Sequence, residues 1–244
     1  MSQINSIPHV NSGCLLPATP SAAEDLGMIA SMKKVRQAAS LVETLVKHPG
    51  QAKYVHRLVQ SRGKSTLTLR TLWLPYRAID FLENQVNPES RVLEFGGGGS
   101  TAWFVDRVQE VVTVESDEEW AEMIRDETAS STKIELLLRP PADHYAAYVE
   151  AADAYPDESF DVILVDGRER VECVKRSVGK LKPGGLMILD DSDRPKYKEV
   201  YAVLQTWNSD HFYGLVPCKD VTGNTTIWEK PGVSKTVLGQ GHTR

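Results

Sequence analysis

The spacing of apolar positions changes twice along the chain. Met28, Met32, Val35, Ala39, Val42 and Leu45 recur at helical intervals, and Ser21 with Glu24 forms a capping box that opens this helix. His48-Pro49-Gly50 stops it. A shorter helix follows over 51–60, with Val55, Leu58 and Val59 on one face, until residues 61–64 break it. Pro75 suits the first turn of a third helix that reaches Gln85 and ends at Asn87-Pro88. Beyond it the pattern becomes an alternation. Short β-rich runs at 91–95, 111–114, 134–138, 162–165 and 186–189 are separated by helical segments at 101–108, 118–125, 143–152, 171–180 and 196–207. Strand and helix in turn predict a parallel sheet with crossover helices on both faces. Two last strands, 211–217 and 225–229, have no helix between them, so they form a hairpin and the final strand runs antiparallel. The expected organisation is a flexible arm (1–20), an N-terminal helical extension (21–74), a doubly wound seven-stranded α/β domain (75–231) and a flexible tail (232–244).

Composition narrows the class. With 41% hydrophobic residues and 17 glycines in 244 residues, the apolar set reaches about 48%, ordinary for a globular protein. No stretch approaches the roughly 20 apolar residues of a membrane span. The first lysine is Lys33, so the start lacks a signal peptide's basic end and apolar run, and the expected location is the cytoplasm. Cys14, Cys173 and Cys218 are too scattered for a disulfide framework or a structural zinc site. The net charge of -5 is unevenly spread, because residues 31–72 hold nine Lys/Arg and one acid. That stretch either meets nucleic acid or another anionic partner, or docks as a helical face on the acidic remainder. Tyr54 is its clear candidate for base stacking, whereas Trp73 and Tyr76 are placed to close over a cleft.

The chemistry centres on Glu94-Phe95-Gly96-Gly97-Gly98-Gly99-Ser100-Thr101. Each glycine inside a helix costs roughly 1 kcal/mol relative to alanine, so four in succession belong to a turn between a strand and the next helix. Such a turn lets a ligand approach backbone amides at a helix start. Thr101 stands where a nicotinamide-binding fingerprint would carry glycine or alanine, which weakens that reading. Glu115, at the end of the second apolar run, is suited to accept hydrogen bonds from both hydroxyls of a ribose.

These residues, with Phe160-Asp161-Val162-Ile163-Leu164-Val165-Asp166-Gly167 and Leu181-Lys182-Pro183-Gly184-Gly185-Leu186, resemble in order the motifs of class I S-adenosylmethionine-dependent methyltransferases. The resemblance spans residues 75–231 and implies a Rossmann-like fold. It implies that Glu94, Gly96, Gly97 and Gly98 surround the methionine part of the cofactor. Glu115 would hold the ribose, with Ser116 and the segment ending at Ala142 near the adenine. Asp166 would face the methyl group or the acceptor. Asp166 and His144 are the candidate bases for removing a proton from the acceptor, and Arg168 and Arg170 are candidates to anchor an anionic one.

Asp166 ends the fourth strand and Asp190-Asp191 the fifth, so three carboxylates could converge on a hard cation such as Mg²⁺. This resembles the metal site of catechol-type O-methyltransferases, with Asp191 in place of an asparagine. Asp166-Gly167-Arg168-Glu169 stands where amino-methylating members carry an Asn/Asp-Pro-Pro-aromatic motif, which favours oxygen as the acceptor atom. The leading expectation is a methyltransferase acting on a small molecule. The alternatives are an RNA or protein methyltransferase recruited by the basic helices, aminopropyl transfer on the same sheet, and a cofactor-binding scaffold without turnover.

Overall fold

The computed structural model describes residues 41–232 together with Ser31, Met32, Val35 and Ala39. The arm, the capping box at Ser21 and Glu24, Met28, Cys14, three of the nine cations (Lys33, Lys34, Arg36) and the tail after Gly232 lie outside the described residues. The four isolated positions are helical, as is α1 (41–47). A 3-10 turn at Pro49–Tyr54 runs into α2 (Val55–Ser61), and α3 (Tyr76–Glu83) follows. The alternating part comprises β1 (Arg91–Phe95), α4 (Gly99–Val105), β2 (Glu110–Glu115), α5 (Glu118–Thr128), β3 (Ile134–Leu138), α6 (Ala146–Val149), β4 (Phe160–Val165), α7 (Arg170–Ser177), β5 (Leu181–Asp190), α8 (Lys198–Val203), β6 (Asn208–Leu215) and β7 (Thr222–Glu229).

The seven strands lie in the order β3-β2-β1-β4-β5-β7-β6, parallel except for the antiparallel pairs β5–β7 and β6–β7. This is the Rossmann-like sheet with its terminal hairpin. Alternate strand residues feed two cores, as a sheet covered on both faces requires. Val92, Val111, Val162, Leu164, Leu186 and Ile188 pack with Leu74, Ile79, Leu82, Trp103 and Phe104 on one face. Leu93, Phe95, Val112, Ile163, Val165 and Met187 pack with Tyr148, Val174 and Val200 on the other.

Three segments depart from the sequence expectation. Residues 143–152 are not one helix: His144 and Tyr145 have φ of 53° and 63°, and the path splits into a 3-10 turn, the one-turn α6 and a second 3-10 turn. Helical periodicity cannot report such local backbone twists. Beyond α8 the chain turns early, and β6 begins at Asn208 rather than residue 211. The Lys182-Pro183-Gly184-Gly185 turn is part of β5, held by the Gly184 amide donating to the Lys230 carbonyl.

The extension packs onto the sheet domain through Tyr54, Leu58, Leu72 and Leu74, which join the core on one face, and through ion pairs of its basic residues. Arg57 pairs with Asp80 at 2.6 Å, Arg62 with Asp220 at 2.6 Å, and Arg70 with Asp106 and Glu127 at 2.7 and 3.1 Å. Gln51 donates to the Tyr213 carbonyl and accepts from the Leu215 amide, tying the 3-10 turn to β6. A Cβ added at Gly99 would lie 2.4 Å from the Thr71 carbonyl oxygen and 2.5 Å from that of Thr66. Glycine therefore allows the extension's last segment to lie directly against the start of α4.

Candidate functional site

The strand order reverses between β1 and β4, and ligands of open α/β sheets sit at the carboxyl ends of strands at such a point. The glycine turn leaves β1 there. Gly96 has φ of +89°, and a Cβ on it would lie 2.6 Å from the backbone of Gly167 after β4. Both the left-handed conformation and the close approach of the two turns call for glycine. Above the turn, Trp120 of α5 donates its indole N–H to the Gly97 carbonyl at 2.7 Å.

Beneath the turn lies Glu94, fully buried at the end of β1. Its Oε2 accepts from the Thr101 and Thr113 hydroxyls at 2.6 and 3.0 Å, and Thr101 in turn accepts from the Gly98 amide at 2.9 Å. Thr101, a departure from the nicotinamide fingerprint, thus links turn and carboxylate. The other oxygen, Oε1, is buried without a well-formed hydrogen bond among the described residues, as is the Tyr148 hydroxyl. Leaving such groups unpaired is costly.

Burial pushes the Glu94 carboxyl up to about 7, the threonine hydroxyls opposing only in part. A folded-state value above the ordinary 4.5 means the fold favours the protonated form. Its contribution to stability is complete below about pH 4.5 and is lost as pH rises through about 7, an effect on the order of 3 kcal/mol. Glu94→Gln is therefore expected to flatten the fall in unfolding free energy between pH 5 and pH 8 relative to the wild type. Urea unfolding at several pH values measures it, and equal slopes in both proteins would contradict the assignment.

At the next strand end, Glu115 is drawn toward the turn. Its Oε2 accepts from the Gly97 amide at 3.0 Å, and its Oε1 from the Ser116 and Asp117 amides at 2.6 and 2.9 Å. The Ser116 hydroxyl also donates to Oε1 at 3.4 Å, so Oε1 is filled while Oε2, with its single bond, keeps acceptor capacity. Arg139 donates its amide to the Glu115 carbonyl at 2.7 Å, while Ala142, three residues on, is exposed.

A cavity of about 540 Å³ connects Gly97 and Trp120 with Trp73, Asp166, Arg170, Asp190 and Asp191. Trp73 stands at its edge, 42% exposed, with the Lys219 ammonium 3.8 Å from its ring centroid. Tyr76 does not close the cleft: it is buried, stacked on Tyr54 and hydrogen-bonded to Ser61. Tyr54, also buried and donating to Asp80, has no face free for a base. His144, a candidate base expected from sequence to border the cleft, is exposed on its twisted turn and does not line this cavity.

The pairing of Val165 with Leu189 sets Asp166 beside Asp190, as the parallel sheet predicts. The cation among these acids is a guanidinium. Arg170, only 9% exposed, bonds Asp166 Oδ1 at 2.8 Å and the backbone carbonyls of Asp190 and Asp166, and lies 3.7 Å from Asp191. Asp190 Oδ1 accepts from Thr225 at 2.6 Å, and Asp191 is also paired with Arg194 at 2.5 Å. Among the described residues no group of three His, Cys, Asp or Glu is arranged to hold a metal ion. The three carboxylates named from sequence do come together here, and Arg170, which the sequence offered as an anchor for substrate, pairs with Asp166 and Asp191 among them. Burial raises Asp190 well above the ordinary carboxylate range, and the Asp166 charge adds to the rise. Asp166 is raised to about 6 by burial, with Arg170 acting against the rise. Asp166 and Asp190 therefore titrate as a coupled pair that holds a proton above the ordinary carboxylate range.

No family model and no curated protein matches the sequence. Among solved structures, 677 chains match, so the fold is too widely shared to name an activity. A precorrin 8w decarboxylase of Methanobacterium thermoautotrophicum superposes with a TM-score of 0.50 at 18% identity, over 63% of this chain and 88% of its own. A Streptococcus thermophilus rRNA methylase gives 0.48 at 18% identity, over 64% and 95% of the two chains. A Thermotoga maritima SAM-dependent O-methyltransferase gives 0.47 at 14% identity, over 64% of each chain. The likeness at a TM-score of 0.50 establishes the Rossmann-like fold.

Proposed function

We propose that the chain is an S-adenosylmethionine-dependent methyltransferase that methylates a small-molecule acceptor at oxygen. The observation that carries this reading is the single cavity running from the glycine turn, with Glu94 and Glu115 behind it, to the acids Asp166 and Asp190. The orphan Oε1 of Glu94 and the remaining acceptor capacity of Glu115 fit a ligand rich in donors. Glu94 and Gly96 to Gly98 would surround the methionine part, Glu115 the ribose hydroxyls, and Ser116 and Ala142 the adenine. S-adenosylmethionine, when bound, supplies an electrophilic methyl carbon on a sulfonium leaving group. The protein's own task is then alignment and removal of one proton. Asp166, ionised above about pH 6, is the group in the cavity suited to accept that proton from an acceptor hydroxyl.

A small acceptor is favoured over RNA because Arg57, Arg62 and Arg70 are engaged with carboxylates of the sheet domain, and Tyr54 is buried. Among the described residues no helix is long and apolar enough to cross a membrane.

Glu115→Ala tests the cofactor assignment. Hydrogen bonds to a charged acceptor are worth roughly 1.5 to 3 kcal/mol each, so the affinity for S-adenosylhomocysteine is expected to fall at least about tenfold. Trp73 and Trp120 line the cavity, so quenching of their fluorescence follows the titration. Unchanged affinity would remove Glu115 from the site. Because Arg170 lies where a divalent cation would have to sit, methyl transfer is expected to be unaffected by EDTA or added Mg²⁺. Loss of turnover in EDTA, restored by Mg²⁺, would contradict the Arg170 account.

A further inference from the structure

A second cavity, of about 450 Å³, meets the first at Arg170 and Arg194. It is bounded by the residues after β4 and those before α8, and its character is cationic: Arg168 and Lys196 line it together with the two shared arginines. Arg170 and Arg194 are occupied by Asp166 and Asp191. Arg168 and Lys196 differ, since both are exposed and neither has a carboxylate partner among the described residues. The Lys196 ammonium rests 4.9 Å from the Tyr197 ring centroid, which leaves its N–H donors free. Glu169 is the one acid lining the cavity, so two unpaired cations face one carboxylate.

The backbone around this cavity is held in an uncommon form. Tyr145 and Glu169, which both line it, have φ of 63° and 42°. Non-glycine residues in the left-handed region cost on the order of 1 to 3 kcal/mol each, and strain of this kind gathers where a surface is shaped for a ligand.

We propose that this cavity receives an anionic oxyacid group, carboxylate or phosphate, of the methyl acceptor, with Arg168 and Lys196 as its donors. The inference rests on the methyl-transfer reading, for it assigns the second cavity to the acceptor of the first. Arg170 is the wall the two cavities share. An acceptor laid across it has its anionic end at Arg168 and Lys196 and its hydroxyl end beside Asp166. Arginine's planar fork suits such oxyacids, and lysine adds a point charge. The acceptor is thus an acidic small molecule that also bears a hydroxyl, and the two cations select it over its neutral analogues.

The test titrates the full chain, alone and with S-adenosylhomocysteine, with inorganic phosphate and separately with acetate. Arginine side-chain NMR signals and calorimetry follow the binding. Saturable binding of at least one anion is expected, and the stronger of the two identifies the group. The double variant Arg168→Ala/Lys196→Ala is expected to weaken it at least about tenfold while S-adenosylhomocysteine still binds, which also shows that the variant is folded. Failure of both anions to saturate below roughly 0.1 M, where general screening takes over, would overturn the inference. So would equal anion affinity in the double variant. S-adenosylhomocysteine binding without anion binding removes only this inference. Anion binding by a chain that binds neither S-adenosylhomocysteine nor S-adenosylmethionine removes the methyl-transfer reading, and the acceptor assignment with it.

Discussion

Arg170→Ala is expected to lose about 3 to 5 kcal/mol of stability at pH 7.5, the cost of removing one partner from a buried ion pair. Domains are stable by only about 5 to 15 kcal/mol, so the loss consumes about a fifth of the total or more. The guanidinium bonds the Asp166 carboxylate, neighbours Asp191 and satisfies the carbonyls of Asp166 and Asp190, and alanine replaces none of these contacts. The effect carries a pH signature. Both Asp166 and Asp190 are raised above the ordinary 3.8 by burial, so each contributes stability in its protonated form, present below about pH 4 and lost as pH rises through the folded-state value. Arg170 restrains the rise in both, and its removal lets it grow. The gap between variant and wild type should therefore narrow as pH falls from 7.5 toward 5. Denaturant unfolding of the pair across this range measures it. A gap independent of pH would mean that the carboxylates do not depend on Arg170.

Asp166→Asn is expected to lower kcat at least about 100-fold, the lower end of what a positioned general base contributes. The substitution keeps shape and removes the basic oxygen, so the KM for S-adenosylmethionine should change much less than kcat. In the wild type kcat should climb as pH passes through about 6, where Asp166 ionises, and this limb should vanish in the variant. A variant with near-normal turnover and the same pH limb would place the base elsewhere. Asp190, beside Asp166 and hydrogen-bonded to Thr225, would then be the next residue to test.

The sheet was legible in the sequence because its strands are buried on both faces and read as short apolar runs, such as Val111 to Val114, cut off by glycine turns and helices. Glu94, Glu115 and the four glycines were legible for a related reason: a strand end, a turn that tolerates no side chain and an acid at the next strand end stand at fixed separations along the chain. What stayed hidden depends on distant partners. Arg170 reads as one more cation at a helix start, and only the meeting of β4 with β5 reveals that it pairs with Asp166 and Asp191 and bonds the Asp190 carbonyl. Tyr54 and Tyr76 read as free aromatics near a basic stretch, and only the packing of the 3-10 turn's end against the start of α3 shows them stacked and buried. His144 appears helical by spacing, whereas the left-handed run from Asp143 to Tyr145 turns it toward solvent. Trp120 carried a weak signal, as the aromatic in the first turn of the helix after Glu115, and its bond to the Gly97 carbonyl required the fold.

The central claim, that the glycine turn, Glu94 and Glu115 form the seat of S-adenosylmethionine, is most directly tested by calorimetric titration of the wild-type chain with S-adenosylmethionine and with S-adenosylhomocysteine. The account predicts saturable binding of both, one molecule per chain. Binding of neither, with decarboxylated S-adenosylmethionine or a nicotinamide nucleotide bound in its place, would contradict it.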